Sequence, residues 1–447
     1  MPGNGPLKVK VEPTKELFAN ILTRDIAHHA AIIELLDNSI DGAKRVAANA
    51  SDLKSFWVRI EFDSEKFKIH DNCGGIPLNV ARDYAFRFGQ AEGMTQVPGS
   101  IGQFGVGMKR ALFSFGRKFV VESTTSKDWF RLEIDLGKWM EEKDSWDFEL
   151  VEYGNNDGSR EIGTRIEVTN LIESVSSQFA LGCFQTKVEN EIRRNHGFFI
   201  DQGLAVRVCG STIPSDQWRL ISDEQFSPEY RRKIYSLSET PLTVRIHAGV
   251  SRSSPSDAGW YVICNGRLVL SADKTEKTGW GWQLRVMAEM DAASGTPRYH
   301  NQFARFRGYV FFDCDNAGLL PWNTTRTDID PDNPFWLDAR EEMAKAMRPV
   351  IAFLNMVDSE TDLPQSGRFF MSALAAAQTK AIADAEIERK FSFPKNPRPP
   401  TKKNAIIQFR KEQERVNALQ SAMGTNSARD TGDTAFEEAY KRHVESE

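Results

Sequence analysis

The segment Gly89–Gly107 holds six glycines in 19 residues and runs directly into the apolar stretch Met108–Phe115. That much glycine forbids regular structure throughout, because glycine gives up more backbone freedom on ordering than any other residue. The stretch after it has helical spacing. The chain therefore places a loop in front of a helix N-terminus. The part Gly99-Ser-Ile-Gly102-Gln-Phe-Gly105-Val-Gly107-Met-Lys109-Arg110 offers free backbone N–H groups, a positive helix end and a lysine. That combination suits a polyphosphate. A glycine loop alone is weak evidence for a ligand, and three other segments bear on the question.

The first is Glu34-Leu-Leu-Asp-Asn38-Ser-Ile-Asp41, within a helical pattern from about Leu17 to Ala48 in which Ile26, Ile33, Leu36 and Ile40 recur near the 3.6-residue period. Glu34, Asn38 and Asp41 stand at i, i+4 and i+7 and so share a face. A carboxylate and an amide there can hold hydrated Mg²⁺ and orient a water; the same spacing also fits a plain solvated face. The second is Asp71-Asn72-Cys73-Gly74-Gly75-Ile76-Pro77, after the strand-like runs Trp57–Phe62 and Phe67–His70. An aspartate at a strand end can accept from an exocyclic amine such as adenine's, and glycines let backbone pass close to a flat ring. A tight turn uses the same residues. The third is Gly163-Thr164-Arg-Ile-Glu-Val-Thr-Asn170-Leu171, whose threonine hydroxyl can support that aspartate directly or through water.

In order, spacing and residue type over about residues 26–171, these segments resemble the GHKL ATPases, named for gyrase, heat-shock chaperone, histidine kinase and MutL. The resemblance implies an α+β fold: a GHKL (Bergerat) α/β sandwich, then an α/β transducer domain and a helical C-terminal region. It implies ATP and Mg²⁺ as cofactors. Glu34 would be the general base activating the attacking water, and Asn38 the Mg²⁺ ligand. Asp71 would contact the adenine amine, with Thr164 beside it and Gly75 admitting the base. Gly102, Gly105 and Gly107 would form the lid over the phosphates, with Lys109 near them. Asp41, Ile76, Gln103, Phe104 and Val106 complete the implied cofactor-binding set. Cys73 stands where the family's adenine loop usually has glycine, which implies a slightly altered loop. Histidine kinases resemble the Glu34 helix but lack its base, so Glu34 favours hydrolysis, in which a metal neutralises phosphate charge and a positioned water attacks in line.

From about residue 226 the texture changes. Leu242–His247, Trp260–Cys264 and Gly308–Phe312 read as strands, and Asn265-Gly266 as a hairpin turn. Leu320-Pro-Trp-Asn-Thr-Thr-Arg326-Thr-Asp-Ile-Asp330 looks similar to the loop by which hydrolysing GHKL members send a basic residue to the γ-phosphate. They use lysine; arginine can pair with phosphate bidentately. Lys274 and Lys277 are alternatives, and Arg326 also fits an ordinary surface cation. The expected organisation is an arm over 1–20, the ATP-binding domain over 21–225, the transducer over 226–345 and a helical region over 346–390. A basic proline-rich linker over 391–404 and a helical tail over 405–447 follow.

Lys plus Arg number 57 against 62 Asp plus Glu, a net charge of −5, which excludes a globally basic nucleic-acid binder. Locally, residues 389–415 carry nine Lys/Arg against Glu412 and Glu414. This stretch suits DNA phosphates, or a linker and helix docking on a partner protein through Ile406, Phe409, Val416 and Leu419. Five cysteines without a C-x-x-C pair point to a reducing, cytoplasmic setting. No apolar run is long enough to span a membrane. The glycine segment looks most like MORC proteins and the ninety-kilodalton heat-shock chaperones, and the length is too short for the latter's further domains. The resemblance thus implies a stand-alone, prokaryotic MORC-like ATPase. It would close as a homodimer on ATP with N-terminal arms exchanged, with or without partner subunits, in DNA-directed or phage-defence work. The alternative is a nucleotide-switched, chaperone-like binding module with little turnover.

Overall fold

The computed structural model describes residues 14–16, 26–47, 52–87, 100–101, 107–142, 145–215, 218–236, 240–282, 295–323, 326–382, 388–397 and 410–444. The chain divides into two compact units, Met1–Pro394 and Lys395–Glu447.

The first unit begins with helix α1 (His28–Val46), followed by strands β1 (Trp57–Phe62) and β2 (Lys66–Asp71). A single helical turn, Leu78–Val80, is continued by a π-helical turn, Ala81–Ala85. Then come α2 (Gly107–Phe115), β3 (Gly116–Thr124), β4 (Asp128–Asp135), α3 (Leu136–Glu141), β5 (Leu150–Asn155) and β6 (Gly163–Leu171). Two helices, α4 (Glu173–Phe179) and α5 (Gly182–Asp201), come next, and β7 (Ala205–Val208) and β8 (Ser211–Thr212) follow. These eight strands form one sheet in the order β5-β4-β3-β6-β2-β1-β7-β8. All neighbours are antiparallel except β1 and β7.

Side chains alternate across a strand, and the alternation places the chemistry. On β2, Phe67, Ile69 and Asp71 face the core together. Asp71 pairs with Thr164 of β6, and Thr164 with Ser123 of β3. One rung across three strands thus carries three polar residues at the end of apolar rows. Helices α1, α2 and α5 pack together with this sheet, around a cluster in which the ring of Phe115 meets Phe67 and Phe179.

A second sheet follows, built from β10 (Glu229–Tyr235), β11 (Leu242–Val250), β12 (Gly259–Cys264), β13 (Arg267–Asp273) and β14 (Phe306–Cys314). Its order is β10-β11-β14-β12-β13, with β12 and β14 parallel. The expected hairpin is present: Cys264 pairs with Arg267 across Asn265-Gly266, where φ is +48° and +86°. Both positive values fit a tight hairpin turn. Helix α6 (Pro334–Asp358) packs on β11 and β14. Asn333 caps it, accepting from the N–H groups of Phe335 and Trp336, with proline in the first turn.

The helical region expected over 346–390 is not one helix, and α6 covers only its first part. It stops at Asp358, and α7 (Phe369–Ala376) starts afresh. Pro364 and Gly367 sit in the break, and Glu360 turns back to accept from the N–H groups of Phe370 and Met371, both at 3.0 Å. Next, β15 (Thr379–Ala381) pairs with β9 (Arg219–Ile221), and Arg389 and Ser392 bridge to Tyr230 and Ser227.

The second unit contains α8 (Gln413–Met423) and α9 (Ala428–His443), within the expected helical tail over 405–447. Ser427 caps α9 through the Asp430 N–H. Among the described residues no helix is long and apolar enough to cross a membrane.

Candidate functional site

Along α1, residues 31–43 are all buried except Asn38. The exposed amide faces a small cleft between α1, the 71–76 loop, α2 and β6. Leu35, Ile69, Met108 and Ile166 give it apolar walls, and Asn38, Ser39, Asp71 and Thr164 give it polar groups. The helix crosses the loop closely: a Cβ on Gly42 would lie 2.5 Å from the Cys73 carbonyl oxygen.

Asp71 is 5% exposed. Its Oδ1 accepts from the N–H groups of Cys73 (2.8 Å) and Thr164 (3.2 Å), and its Oδ2 from the Ser39 hydroxyl (2.7 Å). A carboxylate has about four acceptor sites, so Oδ2 retains one for a ligand N–H. Burial raises the carboxyl pKa, while the three donors oppose the shift. Beside it, the Thr164 and Ser123 hydroxyls are 2.9 Å apart, and Ser123 Oγ accepts from the Ile76 N–H at 2.7 Å. Gly75 has φ +68°, and a Cβ there would lie 2.1 Å from the Thr124 carbonyl oxygen. Only glycine lets the loop pass this strand end. The Arg45 guanidinium donates to the Gly75 carbonyl. Cys73 lines the cleft with its thiol pKa pushed up by burial, so it is an inert wall rather than a nucleophile.

Glu34 lies one turn before Asn38 and is 8% exposed. The Arg110 guanidinium donates to its Oε1, and its buried Oε2 has no partner among the described residues. A Cβ on Gly107 would lie 2.9 Å from that Oε2, so the start of α2 abuts the carboxylate. Asp41 accepts from the Ile101 N–H at 2.7 Å, tying α1 to the chain that enters the glycine-rich segment. Gly102, Gln103, Phe104, Gly105 and Val106 lie outside the described residues. Lys109 donates to the Ala85 and Arg87 carbonyls, and burial lowers its pKa to about 8; its ammonium is engaged with backbone.

Behind this helix face Asp37 is 1% exposed. His196 Nε2 lies 2.8 Å from its Oδ1, and its Oδ2 accepts from Arg326 at 3.0 Å and from Arg267. Burial lowers the His196 pKa to about 3, so the ring is neutral and Nε2 donates. Arg326 holds φ +56°, unusual for a residue other than glycine. It feels the charges of Glu34 and Asp41. The alternatives are engaged elsewhere: Lys277 pairs with Asp328 at 2.7 Å, and Lys274 lies over the Tyr299 ring.

The donors fit the expected cofactors. Among the described residues no three His, Cys, Asp or Glu groups converge on a metal position. Mg²⁺ is commonly held by one or two protein oxygens together with phosphates and waters, and the exposed Asn38 amide supplies such an oxygen. The sequence reading missed Ser39, Arg45, Ser123 and Arg110. It also passed over Asp37, whose signal was present: a charge beside Ile33, Leu36 and Ile40 on the apolar side of the helix.

Residues 26–164 match the family model described as histidine kinase-, DNA gyrase B-, and HSP90-like ATPase. The match supports a GHKL-type, ATP-binding ATPase domain over that segment. A protein of Frankia casuarinae (strain DSM 45818 / CECT 9043 / HFP020203 / CcI3) named alanine racemase is 25% identical over 160 residues. The similarity covers 31% of this chain and 41% of that protein, so the chain spans less than half of this curated relative.

Proposed function

We propose that the protein is a Mg²⁺-dependent ATP hydrolase. The observation that carries the reading is the Asp71 rung. A buried carboxylate with one acceptor site left for a ligand closes a cleft that Asn38 also lines, and Glu34 lies one turn before Asn38 on the same helix. Asp71 accepts the adenine amine, and Gly75 and Ile76 let the base lie against the loop. Asn38 holds Mg²⁺, which neutralises charge on the phosphates. Gly102 to Gly107 and Lys109 cover the phosphates. Glu34 takes the proton of the attacking water through Oε2, and Arg326 stabilises the terminal phosphate from the second sheet, which acts as the transducer. Phosphate release under Mg²⁺-ATP tests this. Glu34→Ala is expected to lose turnover and retain nucleotide binding; unchanged turnover removes Glu34 from the role of base.

The glycine segment and the two-sheet order support a MORC-like clamp of prokaryotic type, cytoplasmic, that closes as a homodimer on ATP. The charge of residues 389–415 supports contact with DNA or a DNA-bound partner, in genome or phage defence. Truncation after Phe391 is expected to abolish salt-dependent DNA binding. One observation favours a second reading, a nucleotide-switched binding module with little turnover. Arg110 occupies Glu34 Oε1, which takes part of the carboxylate away from an attacking water. Assembly with a non-hydrolysable ATP analogue and no phosphate release would select it.

A further inference from the structure

One hairpin turn of the second sheet reaches the ATP-binding half at several points. The Asn265 amide donates to the Ser100 carbonyl at 3.0 Å, at the entrance of the glycine-rich segment, and the Asn265 carbonyl accepts from Lys44 near the end of α1 at 2.9 Å. Gly266 lies where a Cβ would be 2.6 Å from the Phe199 ring, which seats the turn against α5. The next residue, Arg267, reaches Asp37.

Two guanidiniums, Arg267 and Arg326, therefore share one buried carboxylate oxygen. Their Nε atoms, the Arg110 Nε and Glu34 Oε2 are all buried without a hydrogen-bond partner among the described residues. Native interiors leave few polar atoms unpaired, and four around one carboxylate pair mark a site built for something more. Burial and repulsion by Arg326 lower the Arg267 pKa to about 9, and Glu34 opposes the shift. A second anion near Glu34 would relieve that repulsion and supply acceptors for the idle donors.

We propose that Arg267 is a second cation for the terminal phosphate of ATP, and that Asp37 is the resting partner that holds Arg267 and Arg326 until the phosphate draws them away. The inference rests on the ATP-site reading above. Because Arg267 belongs to the turn that also grips Ser100 and Lys44, engagement of the phosphate reaches the second sheet directly. Asp37 competes with the phosphate for the same two arginines.

The competition gives opposite signs to two variants. Calorimetry on the full chain with Mg²⁺ compares ADP with the β,γ-imido analogue of ATP. The wild type is expected to prefer the analogue, and Arg267→Gln to lose about tenfold of that preference with ADP affinity retained. Asp37→Asn frees the arginines and is expected to keep or increase the preference. Should Arg267→Gln not fold, Arg267→Lys decides: it keeps the charge without the two-pronged geometry and is expected to fall between. A wild-type preference near one, a preference within about twofold of wild type in the Arg267 variant, or loss of it in Asp37→Asn and the Arg267 variant alike overturns the inference. Absence of any adenine-nucleotide binding by folded wild type sinks the ATP-site reading as well; binding with an unchanged preference sinks this inference alone.

Discussion

Replacing Asp71 by asparagine separates function from folding at one atom. Oδ1 holds two backbone donors, from Cys73 and Thr164, and Oδ2 holds only Ser39. Asparagine is expected to keep its carbonyl at the first position and place its NH₂ at the second. Ser39 can rotate to accept, so the hydrogen-bond loss to the fold is at most about 1 kcal/mol. Against it stands relief of charge burial. The folded-state pKa of Asp71 is raised, so its stabilising contribution is present at low pH and lost as pH rises through that pKa. The wild type carries that cost wherever the carboxylate is ionised, and the variant carries it at no pH. Asp71→Asn is therefore expected to melt at an equal or higher temperature at pH 7, relative to the same comparison in acid. Binding moves the other way. The ligand amine meets a donor where it needs an acceptor, a loss of about 3 kcal/mol, or roughly a hundredfold in affinity. Thermal melts at both pH values and calorimetry with Mg²⁺-ADP measure the two effects. A folded variant that binds ADP within about threefold of wild type refutes the assignment of Asp71 to the amine.

Three further outcomes follow from the same geometry. Glu34→Gln is expected to slow phosphate release by a factor of about 10²–10⁴ with Kd for ATP little changed; equal rates contradict the base assignment. Gly75→Ala meets both a positive φ and the Thr124 carbonyl, and is expected to cost about 2–5 kcal/mol in urea unfolding; a loss under about 1 kcal/mol contradicts the close passage. Burial depresses the Lys109 pKa to about 8, so folding disfavours the proton that the unfolded chain still binds. Its contribution to stability therefore rises from about pH 8 towards the lysine's ordinary value. Lys109→Met is expected to lack that rise, and identical pH profiles would place the ammonium in water.

What the sequence revealed follows the range of the interactions. Asp71, Thr164 and Gly75 were legible because strand alternation and glycine carry local information, and register brought Asp71 and Thr164 to one rung. Asp37 was not, because its partners stand 159, 230 and 289 positions away. No spacing rule links such residues; only the meeting of α1, α5 and the second sheet does. Strand β10 was missed because its sequence Glu-Tyr-Arg-Arg-Lys-Ile-Tyr is mostly charged, as suits an edge strand. The alanine-rich stretch after residue 358 read as helix because alanine favours helix anywhere, whereas β15 forms there through its pairing with β9.

The cleft as an adenine-nucleotide site is tested most directly by titrating the folded full chain with Mg²⁺-ADP and, in parallel, Mg²⁺-GDP. The Asp71 acceptor matches an amine at the position where guanine carries a carbonyl, so saturable binding of ADP and at least about tenfold weaker binding of GDP are expected. No heat with ADP, or equal affinity for the two, would contradict it.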